Sequence, residues 1–271
     1  MIAHDERLAA VFARTRAEGR AALIPYVVAG DPDLETTALV IDAITEAGAD
    51  VIELGIPYGD PLADGPTIAA AAHRALERGT SIGDALTLAR DAHARGSAPI
   101  LFFTYVNPIV QFGAERFARA AREAGALGAI VPDVPLEELD AFAPALRADG
   151  LSLPLLVAPT TPEARAGALA RASDGFLYVV SRLGVTGARK EPDIAWIAQA
   201  LARLRAAVPE KPLAVGFGIS TPAHVASVGA LADGVIVGSA LIDVMAGKRG
   251  ADAAHAAGTY VRSLRAALPK R

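Results

Sequence analysis

Residues 51–67 read VIELGIPYGDPLADGPT: a short apolar run holding one carboxylate, then a loop of Gly, Pro and Asp. In a β-strand, successive side chains point to opposite faces. Val51, Glu53 and Gly55 would share one face, and Ile52 and Leu54 the other. The larger apolar pair suits a side packed on helices. In a closed sheet Glu53 would then point inward, close to the end where the loop begins.

The rest of the chain repeats the same unit. Short apolar runs recur as LIPYVVA (23–29), DVIELGI (50–56), PILFFTY (99–105), GAIVP (128–132), LPLLVAP (153–159), GFLYVVS (175–181), PLAVGFG (212–218) and DGVIVGS (233–239). Ala-rich stretches with charges on one face separate them, among them PDLETTALVIDAITEAG (32–48), ERFARAAREAG (115–125) and PEARAGALARAS (162–173). Several of these end in Gly, and several begin after Asp, Ser or Thr or with Pro. Eight strands, each followed by helix, predict an α/β fold of the (β/α)8 (TIM) barrel type. Residues 1–20 add a helix before the first strand, and Gly65–Gly96 holds two helices, one of them extra. No linker divides the chain, so residues 1–271 are expected to form one domain. A doubly wound open sheet is the alternative, and the strand count and chain length favour the barrel. In barrels the active site lies where strands end and βα loops begin. Asp174 and Asp233, which precede strands, are therefore expected to be structural or solvated.

Composition narrows the function. Of 271 residues, 52% are hydrophobic and 21% charged, enough apolar material for a large core. A net charge of -4 gives no electrostatic case for nucleic acid or a membrane surface. The absence of cysteine excludes disulfides and thiolate chemistry. No run reaches transmembrane length. The charged start lacks the apolar centre of a secretory signal, and Asp5, Glu6 and Glu18 argue against a transit peptide. A cytoplasmic protein is the expectation.

Two late loops are rich in glycine: GFGIST (216–221) after the seventh strand, and GSALI (238–242) after the eighth, opening a helix. Backbone N–H groups at such turns suit an anion, and barrels commonly hold phosphate there. The long polar loop SRLGVTGARKEPD (181–193) could act as a lid. No strand carries a lysine, which argues against a Schiff-base aldolase. The histidines (His4, His73, His93, His224 and His255) show no metal-ligand spacing, so no metal is expected. Neither a Walker A loop nor a G-x-S-x-G elbow is present.

Carboxylates and tyrosines at strand ends remain. Burial would raise the pKa of Glu53 toward values useful for proton transfer. Asp64 could fold back over the mouth and accept a hydrogen bond from a substrate N–H. Asp60 and Asp133 lie next to proline, where a turn or interface role is the stronger reading. Tyr105 and Asn107 end the third strand. Tyr178 lies within the sixth, where core packing and ligand contact are equally open.

Taken together, ELGIPYGDPLADGP (53–66), AGDPD (29–33), NPIVQFG (107–113), VPDVP (131–135), SRLGVTG (181–187), GFGIS (216–220) and GSALI (238–242) resemble, in order, the tryptophan synthase alpha subunit family. The resemblance implies cleavage of indole-3-glycerol phosphate to indole and glyceraldehyde 3-phosphate. It implies Glu53 as general acid–base and Asp64 as the carboxylate at the indole N–H. Tyr178, Tyr105, Thr186 and Gly187 would lie at the substrate, with Thr186 helping to position Asp64. Gly184, Gly218, Gly238 and Ser239 would bind its phosphate. Asp60, Pro57, Asn107 and Asp133 fall to the partner interface. The implied partner is a beta subunit carrying pyridoxal phosphate, in an alpha2-beta2 heterotetramer, with no cofactor in this chain. Gly59 and Tyr58 depart from the Ser and Phe common in the family and bear on partner coupling. A stand-alone lyase, an activator of the beta subunit, or another phosphate-binding barrel such as a sugar-phosphate isomerase are the other readings.

Overall fold

The computed structural model describes residues 6–158, 160–180 and 193–270. Eight short parallel strands form one sheet: β1 (Ala22–Val28), β2 (Ile52–Gly55), β3 (Ile100–Phe103), β4 (Gly128–Ile130), β5 (Leu155–Val157), β6 (Leu177–Val180), β7 (Leu213–Gly216) and β8 (Gly234–Val237). Their order is β4-β3-β2-β1-β8-β7-β6-β5. The edges β4 and β5 meet at a parallel bridge between Gly128 and Ser152, which closes the barrel. Ser152 N–H donates to Leu127 O at 2.9 Å and Ala129 N–H to Ser152 O at 3.0 Å. A Cβ on Gly128 would sit 1.9 Å from the Ser152 carbonyl oxygen, so only glycine permits this seam.

The expected strand faces are observed. Ile52 and Leu54 pack outward with Val27, Phe102 and Val235 against the helices. Val51, Tyr26, Leu101, Phe103 and Tyr178 fill the interior. The expected helix before β1 is α1 (Glu6–Ala17), whose Leu8 and Phe12 plug the base; the Phe12 and Phe176 rings lie 5.2 Å apart. Around the barrel follow α2 (Leu34–Glu46), α3 (Pro66–Glu77) and α4 (Ile82–Ala94), the last two both between β2 and β3 as expected. Then come α5 (Val106–Phe112), α6 (Ala114–Glu123), α7 (Leu139–Ala148), α8 (Glu163–Ala172), α9 (Ile194–Ala207), α10 (Pro222–Gly229), α11 (Ser239–Met245) and α12 (Gly250–Ala267). The short helix α5 is an addition that the strand-helix alternation does not predict, whereas α11 is the helix expected to open at GSALI.

One expectation is corrected here. Tyr105 and Asn107 do not end β3, which stops at Phe103; Tyr105 is the N-cap of α5 and Asn107 lies in its first turn. The cause is Asp133, whose carboxylate accepts from Val106 N–H at 2.9 and 3.2 Å and so starts a helix there.

The base is tied by a recurring device. Asp50, Asp174 and Asp233 each precede an even strand and accept a backbone N–H from the odd neighbour: Leu23 at 2.9 Å, Leu153 at 3.0 Å and Leu213 at 2.9 Å. Each also pairs with an arginine: Arg20 with Asp50, Arg147 with Asp174, and Arg205 with Asp233. The structural reading of Asp174 and Asp233 holds.

Candidate active site

Glu53 stands on β2 with Tyr26 of β1 and Leu101 of β3 as its register neighbours. It is only 1% exposed, and its Oε1 has no hydrogen-bond partner among the described residues. Desolvation disfavours the charged form and pushes its pKa up to about 8. Leaving a buried acceptor unsatisfied is costly, which marks this inner-wall carboxyl as a candidate for contact with a bound ligand.

Asp64 lies in the loop that leaves β2 and enters α3. Burial raises its pKa to about 6, and a hydrogen bond with Tyr105 opposes the rise. The Tyr105 hydroxyl also accepts from Ala63 N–H at 3.0 Å, so one side chain holds two consecutive residues of the loop. Tyr105 packs at 5.4 Å against Tyr58, whose hydroxyl accepts from Asn107 Nδ2 at 3.2 Å. Burial and the Asp64 charge push the Tyr105 hydroxyl well above its ordinary range. Tyr26 and Tyr178 are fully buried and shifted upward, first by desolvation and then by Asp64 and Glu53 among the nearby charges. Both phenols are therefore neutral hydrogen-bonding groups.

The barrel makes room for those hydroxyls with glycine. A Cβ on Gly55 would lie 2.3 Å from the Tyr26 hydroxyl, and one on Gly216 would lie 2.2 Å from that of Tyr178. Tyr26 was missed by sequence reasoning. It stands in the inward register of β1 beside Glu53, a pairing that neither strand's sequence carries on its own. Phe217 was missed as well: it packs at 5.9 Å on Tyr178 and adopts φ 72°, a left-handed conformation rare for a bulky side chain.

Gly218 follows with φ +80°, and together these residues turn the chain sharply out of β7. Gly238 and Ser239 open α11 at the end of the neighbouring β8, with Ser239 exposed. Tyr260 ties the first turn by donating to Ser220 O at 2.8 Å. Gly184, Thr186 and Gly187 lie outside the described residues. At the rim, Pro57 is buried and Asp60 exposed, Leu62 is 76% and Val110 57% exposed, and Asp133 is engaged with α5. A small cavity of about 130 Å³, lined by Phe12, Thr15, Arg16, Gly19, Arg20 and Asp233, sits at the opposite, basal end. Among the described residues no His/Cys/Asp/Glu cluster could hold a metal ion, and no helix is long and apolar enough to cross a membrane.

An inward carboxylate with a raised pKa, a second one in the loop that leaves β2, and glycine turns after β7 and β8 are the features of a (β/α)8 barrel enzyme of the phosphate-handling kind. Comparison with known proteins gives the particular family. Residues 12–268 match the family model described as tryptophan synthase alpha chain. The chain is 49% identical over 255 residues to the tryptophan synthase alpha chain of Prochlorococcus marinus (strain MIT 9313), covering 94% of this chain and 92% of that one. It is 46% identical to that of Arabidopsis thaliana, over 88% and 86% of the two chains. Among solved structures, a chain of Mycobacterium tuberculosis tryptophan synthase superposes with a TM-score of 0.88 at 36% identity, covering 96% of this chain and 97% of that one. The chain belongs to the tryptophan synthase alpha chain family.

Proposed function

We propose that Glu53 and Asp64 carry out the reaction of this family member within one barrel domain. The chain is a carbon–carbon lyase of tryptophan biosynthesis, cleaving indole-3-glycerol phosphate to indole and glyceraldehyde 3-phosphate. The observation that supports the assignment is the buried carboxyl of Glu53, whose Oε1 has no hydrogen-bond partner among the described residues and whose pKa burial pushes up to about 8. Breaking the bond requires an electron sink. Protonation of the indole ring at C3 supplies one, as a cation with charge on its N–H. Glu53, protonated at neutral pH, donates that proton, and Asp64, ionised above about pH 6, stabilises the N–H. The bond from C3 to the glycerol carbon then breaks, and its electrons restore the indole ring. The hydroxyl on that carbon becomes the aldehyde, and its proton returns to Glu53, so the enzyme ends as it began.

Tyr26, Tyr178 and Phe217 form the wall for the indole and glycerol portions, with Tyr105 holding Asp64. The turns at Gly218 and Gly238–Ser239 take the phosphate, together with Gly184. Thr186 and Gly187 belong to the closing loop. The exposed rim, with Asp60, Pro57, Asn107 and Asp133, faces a tryptophan synthase beta subunit in an alpha2-beta2 assembly. Pyridoxal phosphate belongs to that partner, this chain needs no cofactor of its own, and the reaction is cytoplasmic.

Glu53→Gln tests the assignment. Gln keeps the size and cannot cycle a proton, so kcat for indole release should fall by about 10³-fold or more while the circular dichroism spectrum is unchanged. Turnover near that of the unmodified enzyme would overturn the role.

A further inference from the structure

We propose that the Arg74–Asp31 pair is a positioning element for the cleavage, holding α3 in register so that Asp64 sits over the barrel mouth. The inference rests on the reading of Asp64 given above. Asp64 lies two residues before α3, so the placement of this helix sets the placement of the carboxylate. Side-chain packing along α3 is shallow. Its N-cap, Gly65, makes no side-chain cap, and its buried face is Ala71, Ala72 and Ala75. Helices interlock by fitting side-chain ridges into grooves, and a row of methyl groups makes shallow ridges that resist sliding poorly.

The polar pair supplies what the packing lacks. Arg74 Nε donates to Asp31 Oδ1 and Nη2 to Oδ2, both at 2.8 Å. Such a fork fixes angle as well as distance. Asp31 is a firm anchor: it is 7% exposed in the turn that ends β1. That turn is held by Gly30 N–H donating to Thr37 Oγ1 at 3.1 Å and by Thr37 Oγ1 donating to Asp33 O at 2.8 Å. It also presses on Thr80 just beyond α3, where a Cβ on Gly30 would meet Thr80 Oγ1 at 2.1 Å. From Arg74 back to Pro66 runs about 12 Å of stiff helix. Ile68, in the first turn, reaches 3.5 Å from where a Gly238 Cβ would stand, so the register of α3 is also felt at the turn opening α11. Arg74 is nearly half exposed, a setting in which an ion pair adds little stability. Geometry is what the fork provides.

Arg74→Lys keeps the charge and removes the fork. Its kcat for indole release should fall about tenfold, since misplacing a catalytic group by an ångström is costly. Its melting temperature should move by no more than about 3 °C. The acid limb of its kcat/KM profile should move away from about pH 6, since the burial that raises the Asp64 pKa and the Tyr105 hydrogen bond that lowers it both depend on where the loop sits against Tyr105, Tyr26 and Tyr178, the ionisable groups that face Asp64. Arg74→Met should show the same losses, because the stem without the fork does not position the helix. Unchanged kcat and acid limb in both variants, or a loss of kcat that only tracks melting temperature with the limb fixed, would overturn the proposal. Asp64→Asn, assayed in parallel, should be nearly inactive. If it is active the role of Asp64 itself falls, and the clasp with it; if it is inactive while Arg74→Lys is normal, the clasp alone falls.

Discussion

Glu53 and Asp64 are two carboxylates set to different pKa values by different surroundings. Glu53 is wholly buried and shifted to about 8, whereas Asp64 keeps the hydrogen bond of Tyr105 and reaches only about 6. At pH 7 the first is therefore an acid and the second an anion. The kcat/KM profile should rise through about pH 6 as Asp64 ionises and fall above about pH 8 as Glu53 loses its proton. A flat profile between pH 5 and 9 would contradict the division of roles. Stability gives an independent check with a definite sign. The folded pKa of Glu53 lies above its unfolded value of 4.5, so between about 4.5 and 8 the native state keeps a proton that the unfolded chain releases. Stability therefore declines as pH rises through that window, by a few kcal/mol at most. Gln carries no such penalty. The melting temperature of Glu53→Gln should exceed that of the unmodified chain by roughly 5 °C or more at pH 9, with the gap closing toward pH 5.

The elements show what local pattern could and could not reveal. All eight apolar runs became strands because a strand buried on both faces is a continuous apolar run, easy to see between Gly and charge. The inward aim of Glu53 followed from two-residue alternation alone. The short helix α5 was invisible, since it is set by something distant in sequence: Asp133, 27 residues after Val106. For the same reason Tyr105 read as a strand end when it caps a helix. Tyr26 escaped notice because its partner Glu53 lies on another strand, and register between strands is not written in either one. The seam between β4 and β5 is a further case, resting on Gly128, whose contact with Ser152 lies outside its own strand run. Gly128→Ala should cost at least about 2 kcal/mol, because the added methyl cannot share space with the Ser152 carbonyl. A thermal melt should show a drop of roughly 5 °C or more, and an unchanged midpoint would mean that the seam can open at no cost.

For the whole molecule, the barrel separates its tasks by end. The proposed chemistry and the exposed apolar side chains Leu62 and Val110 gather at the mouth, and charge-paired ties gather at the base. If the rim meets a beta subunit, Leu62→Asp combined with Val110→Asp should weaken that association at least about tenfold, because apolar contact is replaced by charge that must be desolvated. Titration of the beta subunit followed by calorimetry would measure it, with the basal indole release of the isolated chain held as a control. Equal affinity would move the interface elsewhere.

The basal aspartates carry a consequence for how the protein answers to its medium. Asp50 is 3% exposed and Arg20 9%, and Asp174 and Asp233 are 12% and 14% exposed. Mobile ions screen exposed charges over about 8 Å at physiological ionic strength but reach buried pairs far less. Ser239, proposed above to take the substrate phosphate, is by contrast exposed. Added salt should thus loosen the grip on substrate while leaving the barrel intact. A cell whose ionic strength swings would find this protein's occupancy changed and its architecture not.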